Sequence, residues 1–409
     1  METKIGLITQ RARRDPKCKF TTLAYLLGEG FLKDCFWELK KNKAPGIDGV
    51  TVREYEVKLE ENLKEVVTRL KGKKYRPQPV RRQSMSKISW MYHTDSGQDE
   101  AVTTPLTKVD KNIMTKPVNY VVDMDIEKFF DTVDHKWMTE CLRERIADPS
   151  FLSLIVRFLK AGIMEEGKYQ ETDKGTPQGG IISPVLANIY LHYILDLWFE
   201  KKIKNQTQGY AGLTRYADDF IVCLESEEEA KAFGEKLRER LGKFGLKVSE
   251  EKSRVIEFGR KAWQKAKETG SKTSTFNFLG FTHYCDKTRK GGFKVGRKTS
   301  GKKMKIKLKA MNQWLGSIRG AVELKEWWKT LKQKLIGHYR YYGMSGNMRE
   351  LRTFHSRTAS LAYKWINRRS QKKSMNMERY RRLIYEWSPL PQPKIYHLTY
   401  TLSSKRTCC

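Results

Sequence analysis

The stretch that decides the fold is Arg215-Tyr216-Ala217-Asp218-Asp219-Phe220-Ile221-Val222. Two adjacent aspartates between short apolar runs predict the tip of a β-hairpin. Two like charges side by side in a partly buried turn are costly unless they share a cation, and carboxylate oxygens suit Mg²⁺. A lone Asp-Asp pair is usually turn chemistry alone. The metal-site interpretation of Asp218 and Asp219 therefore requires a further acid elsewhere in the chain.

A partner acid is available in a second predicted strand upstream, within residues 121–131. This segment has strand formers that run into two phenylalanines and a further acid. An aspartate at the end of the strand, presented to the hairpin, is suited to share two ions about 3.5–4 Å apart, as in phosphoryl transfer. Asp123, Asp125 and Asp131 all qualify. Alternation places Asp123 and Asp125 on the same strand face, so the pattern does not choose between them.

The positive charge of the chain is the second strong signal. The net charge is +33, and residues 286–409 carry 31 Lys and Arg against 6 Asp and Glu, which is +25. The other 285 residues hold only +8. Such an excess goes far beyond what solubility requires and predicts a polyanionic partner, with nucleic acid as the first choice.

Size and composition narrow the class of protein further. A chain of 409 residues is long enough for two or three domains. Hydrophobic residues are 39%, no apolar run is long enough for a membrane span, and the first residues lack the apolar segment of a signal peptide. The seven cysteines are scattered and form no C-x-x-C pair. We expect a cytoplasmic protein without a membrane partner, a disulfide framework or a zinc site.

The periodicity of apolar residues predicts a mixed α+β fold. One strand is expected at 246–248 and one apolar strand at Phe276–Phe281, and residues 83–105 look least structured. The last third is expected to consist of basic helices, within 300–390, with their tryptophans in the core and His338 structural rather than catalytic. Other helices are expected over about 21–42, 51–71, 134–147, 150–161, 183–199 and 227–243.

The order of the motifs resembles a bacterial group II intron-encoded reverse transcriptase/maturase. The matching stretches are Ala44–Val50, Val122–Val133, Gly175–Ile189, Arg215–Val222, Gly245–Lys252, Phe278–Phe281 and Gly337–Asn347. The resemblance implies a right-hand polymerase: an N-terminal extension with reduced fingers at 1–105, an antiparallel palm with helices at 106–285, and a helical thumb that doubles as the maturase domain at 286–409. It also implies the bacterial cytoplasm as the location.

The resemblance also assigns roles to individual residues. It selects Asp125 over Asp123 as the partner of Asp218 and Asp219, so that these three acids hold two Mg²⁺ ions. It implies RNA-directed DNA synthesis, with group II intron RNA, an RNA template/DNA primer duplex and deoxynucleoside triphosphates as partners. The further implied positions are Phe130 as a gate against the ribose 2′-hydroxyl, Gln178, Gly179 and Lys252 at the nucleotide, and Phe278, Leu279, Gly280 and Phe281 as the primer grip. For RNA binding we select the thumb cations Lys302, Lys303, Lys305, Lys307, Arg340, Arg368 and Arg369.

The chain departs from the family pattern in the fingers. In residues 83–105, where the family carries basic motifs that hold the nucleotide and template, Lys87 is the only strong cation. Each lost charged hydrogen bond costs roughly 1.5–3 kcal/mol. A weakened or inactive polymerase is therefore expected. Alternatives to an intron-copying polymerase are a splicing factor that binds RNA without catalysis and a DNA-templated repair polymerase. The loop at Thr176–Gly180, taken alone, is typical of a plain helix entry.

Overall fold

The computed structural model describes residues 2–39, 41, 45–81, 96–165, 168–171, 173–176, 180–369 and 375–398. The α-helices in these ranges are α1 (Glu2–Arg14), α2 (Glu29–Trp37), α3 (Val52–Val57), α4 (Leu59–Lys71), α5 (Ser96–Thr115), α6 (Phe129–Thr132), α7 (His135–Arg143), α8 (Pro149–Leu159), α9 (Ser183–Leu191), α10 (Lys204–Gln206), α11 (Glu227–Lys243), α12 (Arg260–Thr269), α13 (Gly301–Ile318), α14 (Leu324–Tyr342), α15 (Met348–Ile366) and α16 (Met377–Arg382). The strands are β1 (Val80–Arg81), β2 (Tyr120–Met124), β3 (Ile163–Glu165), β4 (Lys168–Gln170), β5 (Ala211–Tyr216), β6 (Asp219–Leu224), β7 (Arg254–Glu257), β8 (Phe276–Phe278), β9 (Phe281–Lys287) and β10 (Phe293–Thr299). Short 3₁₀ turns lie at Ala24–Leu26 and Glu250–Lys252, and π-helical turns at His192–Asp196, Phe199–Ile203 and Leu383–Trp387.

The chain divides into two compact units. The first contains Met1–Ser84, Asp125–Gln206 and Glu235–Glu250, and the second contains Met85–Met124, Thr207–Gly234 and Glu251–Cys409. Since each unit is built from separate stretches of sequence, neither corresponds to a single predicted domain. The predicted divisions near residues 105 and 285 stay a prediction.

The second unit contains a four-stranded antiparallel sheet in the order β5-β6-β2-β7. Strand β2 pairs with β6 so that Val122 lies opposite Val222, and with β7 so that it also lies opposite Val255. The apolar centre of β6 is fully buried. This burial explains why the run that follows the aspartates, Phe220–Leu224, is continuously apolar. The predicted α+β class with an antiparallel sheet and helices is confirmed.

A second sheet in the same unit has the order β10-β9-β8. The stretch Phe276–Phe281, expected as one strand, is instead the end of β8, a two-residue turn and the start of β9, since Phe278 pairs with Phe281. Leu279 and Gly280 form this turn with φ of +50° and +80°. Positive φ at both central residues is the hairpin geometry that glycine makes accessible, and a period-2 apolar pattern does not distinguish it from a continuous strand.

Helices α13, α14 and α15 form the C-terminal part of the second unit and share one hydrophobic core with its sheets. Trp314, Trp327 and Trp328 are buried in that core, as predicted, whereas Trp387 is 60% exposed. His338 is buried and stacks on Phe354 with ring centroids 3.6 Å apart. The structural role predicted for His338 is therefore the one that its packing supports.

The first unit is mainly helical. Phe36 of α2 packs with Leu59 and Leu63 of α4 in a small separate core. Helices α7 and α8 begin at aspartate caps: Asp134 accepts hydrogen bonds from the amides of residues 136 and 137, and Asp148 from those of residues 150 and 151. Such caps satisfy amides that the first helical turn leaves unpaired. Strands β1, β3 and β4 form a small sheet in this unit.

Some predicted elements match the observed ones and others differ. The helix predicted at 227–243 is observed with those bounds as α11. The helix predicted over 21–42 is shorter, because α2 begins only after Gly28, which is extended. No strand forms at 246–248, where Val248 makes a single bridge to Ile126. Helix α5 begins at Ser96, inside the stretch predicted to be unstructured, while residues 82–95 lie outside the described ranges.

Candidate active site

The paired aspartates lie at the tip of the β5-β6 hairpin. Tyr216 pairs with Asp219, so Ala217 and Asp218 form a two-residue turn. Ala217 has a φ of +54°, a conformation that non-glycine residues rarely adopt. The Arg215 side chain holds this turn by donating from Nη1 to the carbonyl oxygen of Ala217 at 2.8 Å. The predicted hairpin is confirmed, and it presents Asp218 half-exposed and Asp219 exposed.

The candidate partner acids lie at the end of β2. Asp123 is inside the strand and pairs with Ile221 of β6 and with Arg254 of β7. Asp125 lies two residues after Asp123 and directly after Met124, the last residue of the strand. Its carbonyl oxygen accepts a hydrogen bond from the amide of Ser249 at 2.8 Å. Asp123 and Asp125 are both half-buried, so burial does not separate the two candidates.

The donor chemistry at the hairpin tip fits Mg²⁺. This ion takes oxygen ligands, commonly one or two protein carboxylates together with waters and substrate phosphates. Asp218 and Asp219 are adjacent carboxylates with solvent access. Within the part of the chain that the structure describes, no group of three or more His, Cys, Asp or Glu side chains is placed to enclose an ion. The fit to Mg²⁺ therefore rests on the two carboxylates of the hairpin tip.

The backbone at Phe130 is clamped by the start of the glycine-rich loop. Thr176 donates from its amide to the carbonyl oxygen of Phe130 at 2.6 Å, and Gly175 donates to that of Val133 at 2.7 Å. A Cβ on Gly175 would lie 2.7 Å from the Phe130 oxygen, so the close approach requires glycine. His135 Nε2 lies 2.6 Å from the Gly175 oxygen. These contacts fix the residues that lead into the loop at Thr176–Gly180, whose residues 177–179 lie outside the described ranges.

The remaining predictions concern residues that are expected at the nucleotide. The side chain of Phe130 is half-exposed and its ring meets that of Phe129 edge-on. Lys252 is exposed at the end of a 3₁₀ turn. Gln178 and Gly179 lie outside the described residues.

The predicted primer-grip residues form the β8-β9 turn, and this turn is bonded to the candidate site. Phe278 and Phe281 are buried in the core and anchor the two ends of the turn. The amide of Leu279 donates to Asp219 Oδ2 at 3.3 Å. On the other side, the carbonyl oxygen of Leu279 accepts a hydrogen bond from the Tyr341 hydroxyl at 3.2 Å. The turn therefore connects the acidic hairpin with helix α14.

The predicted RNA-binding cations differ in exposure. Lys303 and Lys307 are half-buried, whereas the exposed members are Lys302, Lys305, Arg340, Arg368 and Arg369. The Nζ atom of Lys307 lies 4.9 Å from the ring centroid of Tyr342 and 5.8 Å from that of Tyr341. Burial, with the nearby charge of Lys303, lowers the pKa of Lys307 to about 8. Lys307 therefore differs from the exposed cations in being partly a packing residue.

Sequence reasoning missed the connecting role of Tyr341. The rings of Tyr341 and Tyr342 pack on Phe281, where β9 leaves the turn, with centroids 6.4 and 5.2 Å from that of Phe281. Nothing in local periodicity signals a hydrogen bond across 62 residues.

The chain belongs to the reverse transcriptase (RNA-dependent DNA polymerase) family, whose sequence profile matches residues 49–283, more than half of its length. It is similar to the group II intron-encoded protein LtrA of Lactococcus lactis subsp. cremoris, with 28% identity over 285 residues, 59% of this chain and 48% of that protein. The resemblance noted in the sequence is confirmed.

Two further relatives match shorter stretches. Protein YkfC of Escherichia coli (strain K12) is 29% identical over 163 residues, 33% of this chain and 43% of that protein. A putative COX1/OXI3 intron 2 protein of Saccharomyces cerevisiae is 38% identical over 89 residues, 22% of this chain and 10% of that protein. The chain spans about half the length of LtrA and less of the other two.

Among solved structures, an apo telomerase from Candida tropicalis covers 61% of this chain and 48% of its own chain, with 16% identity and a TM-score of 0.34. This likeness is too low to carry an argument, so the fold assignment rests on the family match and the antiparallel sheet. None of the helices in the described ranges is long and apolar enough to cross a membrane.

Proposed function

We propose that this protein is an RNA-directed DNA polymerase that binds group II intron RNA, assists its splicing and copies it. The observation that carries the proposal is the strained turn at Ala217–Asp218, which presents two adjacent carboxylates at the tip of a buried hairpin. Strain of this kind concentrates at functional sites because the surrounding structure must maintain it. Membership of the reverse transcriptase family makes nucleotidyl transfer the reaction that such a hairpin serves.

In the proposed reaction the primer 3′-oxygen forms a bond to the α-phosphorus of a deoxynucleoside triphosphate. The bond from that phosphorus to the bridging oxygen breaks, pyrophosphate leaves, and the hydroxyl proton passes to solvent. Asp218 and Asp219, with Asp125 as the family resemblance implies, would hold two Mg²⁺ ions. Bound there, the ions supply charge neutralisation for the phosphates and a lowered pKa for the attacking hydroxyl.

Other residues of the chain would select and place the nucleotide. Phe130 is proposed to contact the sugar and exclude a 2′-hydroxyl, which suits a half-exposed ring whose backbone is clamped by Gly175 and Thr176. Gln178 and Gly179 are proposed to lie at the templating pair, and Lys252 near the departing pyrophosphate. The β8-β9 turn would serve as the primer grip.

The basic C-terminal helices are proposed to bind RNA. Residues 286–409 carry a net charge of +25, and lysines of α13 such as Lys302 and Lys305 are exposed. Phosphate neutralisation by such side chains is largely independent of base sequence. We therefore assign the exposed thumb cations to the phosphate backbone of the template duplex and of the intron RNA.

The test is Mg²⁺-dependent primer extension on an RNA template, comparing the protein with its Asp218→Asn variant. Asp286→Asn, a change of the same chemistry at a strand residue paired with Lys294, is the matched control. Loss of a metal-binding carboxylate should reduce extension by more than about 100-fold. Equal extension by the Asp218→Asn variant would reject the proposed site.

A second candidate is a splicing factor that binds intron RNA without polymerase activity. The observation in its favour is the composition of residues 83–105, where Lys87 is the only strong cation in place of a basic nucleotide-holding segment. If neither the protein nor the Asp218→Asn variant extends primers while both bind intron RNA and promote splicing, this second function is the correct one.

A further inference from the structure

The β8-β9 turn contains a residue that needs outside support. Leu279 has a φ of +50°, which a branched non-glycine residue adopts only when its neighbours hold it. Gly280 follows with a φ of +80°. The groups that hold Leu279 in this conformation also affect Asp219, because the amide of Leu279 donates a hydrogen bond to the Asp219 carboxylate.

Hydrogen bonds fix the turn from two sides. The amide of Leu279 donates to Asp219 Oδ2 at 3.3 Å, and its carbonyl oxygen accepts from the Tyr341 hydroxyl at 3.2 Å. The carbonyl oxygen of Gly280 accepts from the amide of Ser300, which precedes α13, at 2.9 Å. The Tyr341 hydroxyl therefore bonds to the peptide group that joins Leu279 to Gly280. The preceding peptide group, which joins Phe278 to Leu279, bonds to Asp219.

The Tyr341 hydroxyl is aimed at the turn by the packing of its ring. The ring lies almost parallel to that of Phe281, with centroids 6.4 Å apart and an interplanar angle of 9°. Lys307 Nζ lies 5.8 Å from the ring centroid. Tyr342 packs edge-on against Tyr341, with centroids 4.7 Å apart. Removal of the hydroxyl alone therefore leaves these ring contacts available.

We propose that Tyr341 is a positioning residue for the catalytic hairpin. Its hydroxyl keeps Leu279 in the left-handed conformation, and the Leu279 amide in turn orients the carboxylate of Asp219. In this role Tyr341 acts through Leu279. This inference rests on the proposed nucleotidyl transfer for its functional consequence, but the structural coupling can be measured without any activity.

The first experiment measures amide hydrogen exchange of the folded protein at Leu279, comparing wild type with Tyr341→Phe. Loss of one hydrogen bond should speed exchange at Leu279 about fivefold while the exchange of buried β6 amides stays unchanged. Tyr385→Phe, which alters a tyrosine that is 61% exposed in the π-helical turn Leu383–Trp387, is the matched control and should leave exchange at Leu279 unchanged. Unaltered protection of Leu279 in Tyr341→Phe overturns the proposal.

The second experiment titrates Mg²⁺ in primer extension by the same variants. A misoriented Asp219 should raise the Mg²⁺ concentration for half-maximal rate about fivefold and lower kcat, with KM for the nucleotide unchanged. A merely structural role would reduce the amount of active protein without moving the Mg²⁺ midpoint, and that result also overturns the proposal. If wild type itself does not extend primers, the proposed polymerase function fails, and the exchange measurement still decides the role of Tyr341.

Discussion

The backbone amide of Leu279 donates a hydrogen bond to the carboxylate of Asp219 at 3.3 Å, across 60 residues of sequence. Each partner belongs to a hairpin whose turn contains a non-glycine residue with positive φ, Ala217 at +54° and Leu279 at +50°. A non-glycine residue stays in this conformation only where contacts with the surrounding structure hold it there. The two hairpins thus support each other at the position where the paired carboxylates are presented.

Gly280→Ala should destabilise the fold and impair primer extension. Gly280 has a φ of +80°, and a Cβ there would lie 2.9 Å from the buried Tyr342 hydroxyl. The expected loss is about 2–3 kcal/mol, the sum of a left-handed alanine and a steric clash. Gly291→Ala is the matched control, because Gly291 has the same φ of +80° with open space around it, and should cost only about 1–2 kcal/mol. Urea unfolding measures the loss of stability in both variants. Equal losses would show that the contact with Tyr342 contributes nothing to the destabilisation by Gly280→Ala.

Asp110→Ala should be strongly destabilising, because Asp110 of α5 and Arg297 of β10 form a buried ion pair at 2.8 Å. Removal of the carboxylate leaves the guanidinium charge uncompensated, at a cost of about 3–5 kcal/mol. His283, opposite Arg297 in the sheet, gives no relief, since burial and the Arg297 charge hold its pKa well below the usual value. In the control Asp286→Ala, the loss of a partly exposed pair with Lys294 should cost at most about 1 kcal/mol. Chemical denaturation distinguishes the two, and a loss below 1 kcal/mol for Asp110→Ala would contradict the prediction.

Lys307 and Lys334 should each contribute a rise in the free energy of unfolding between about pH 8 and 9.5. The buried thiols of Cys141 and Cys223 oppose this rise, because burial raises their pKa and thiols of the unfolded chain ionise first. Burial lowers the pKa of Lys307 and of Lys334 from 10.5 to about 8. Below pH 8 both lysines are charged in the folded and unfolded states, so the cost of burying the charge is fully present. Above it the folded protein releases these protons while the unfolded chain keeps them, which adds about 1–2 kcal/mol for each lysine by pH 9.5.

Urea titrations at pH 7.5, 8.5 and 9.5 test the lysine contribution as a difference between two proteins that share the same thiols. From pH 7.5 to 9.5 wild type should gain stability relative to the Lys334→Met variant. The range stops at 9.5 because burial raises the pKa of Tyr339 and Tyr342, so ionisation of the unfolded tyrosines would oppose the trend at higher pH. Identical slopes for wild type and Lys334→Met would show that Lys334 does not carry the effect.

Lys302→Gln and Lys305→Gln together should weaken RNA binding to a similar extent for unrelated RNA sequences. Each exposed lysine that neutralises a phosphate contributes about 0.7–0.9 to the slope of log affinity against log salt. The double variant should therefore lower that slope by up to about 2. Lys231→Gln, which breaks an exposed pair with Glu227 on α11, is the control and should leave the slope unchanged. A wild-type affinity that does not respond to salt would contradict the whole assignment of the basic helices.

Local sequence patterns predicted some elements of the fold correctly and missed others. The bounds of α11 and the hairpin around Asp218 and Asp219 follow from local periodicity and were predicted correctly. Residues 96–105 were not predicted to be helical, because the polar first turns of α5 show no helical period of apolar residues, and residues 82–95 lie outside the described ranges. Phe276–Phe281 was assigned as one strand because a turn made of Leu279 and Gly280 has little of the usual polar turn chemistry.

The sequence by itself determined the reverse transcriptase family, the paired acids and the basic C-terminal helices, since each of these is written in consecutive residues or in net charge. The tertiary structure alone decided that Leu279 bonds to Asp219, that Tyr341 holds Leu279, and that Arg297 is buried against Asp110. The physical reason is distance along the chain. Partners separated by 60, 62 and 187 residues meet only once the sheets and helices of the second unit pack around a shared core.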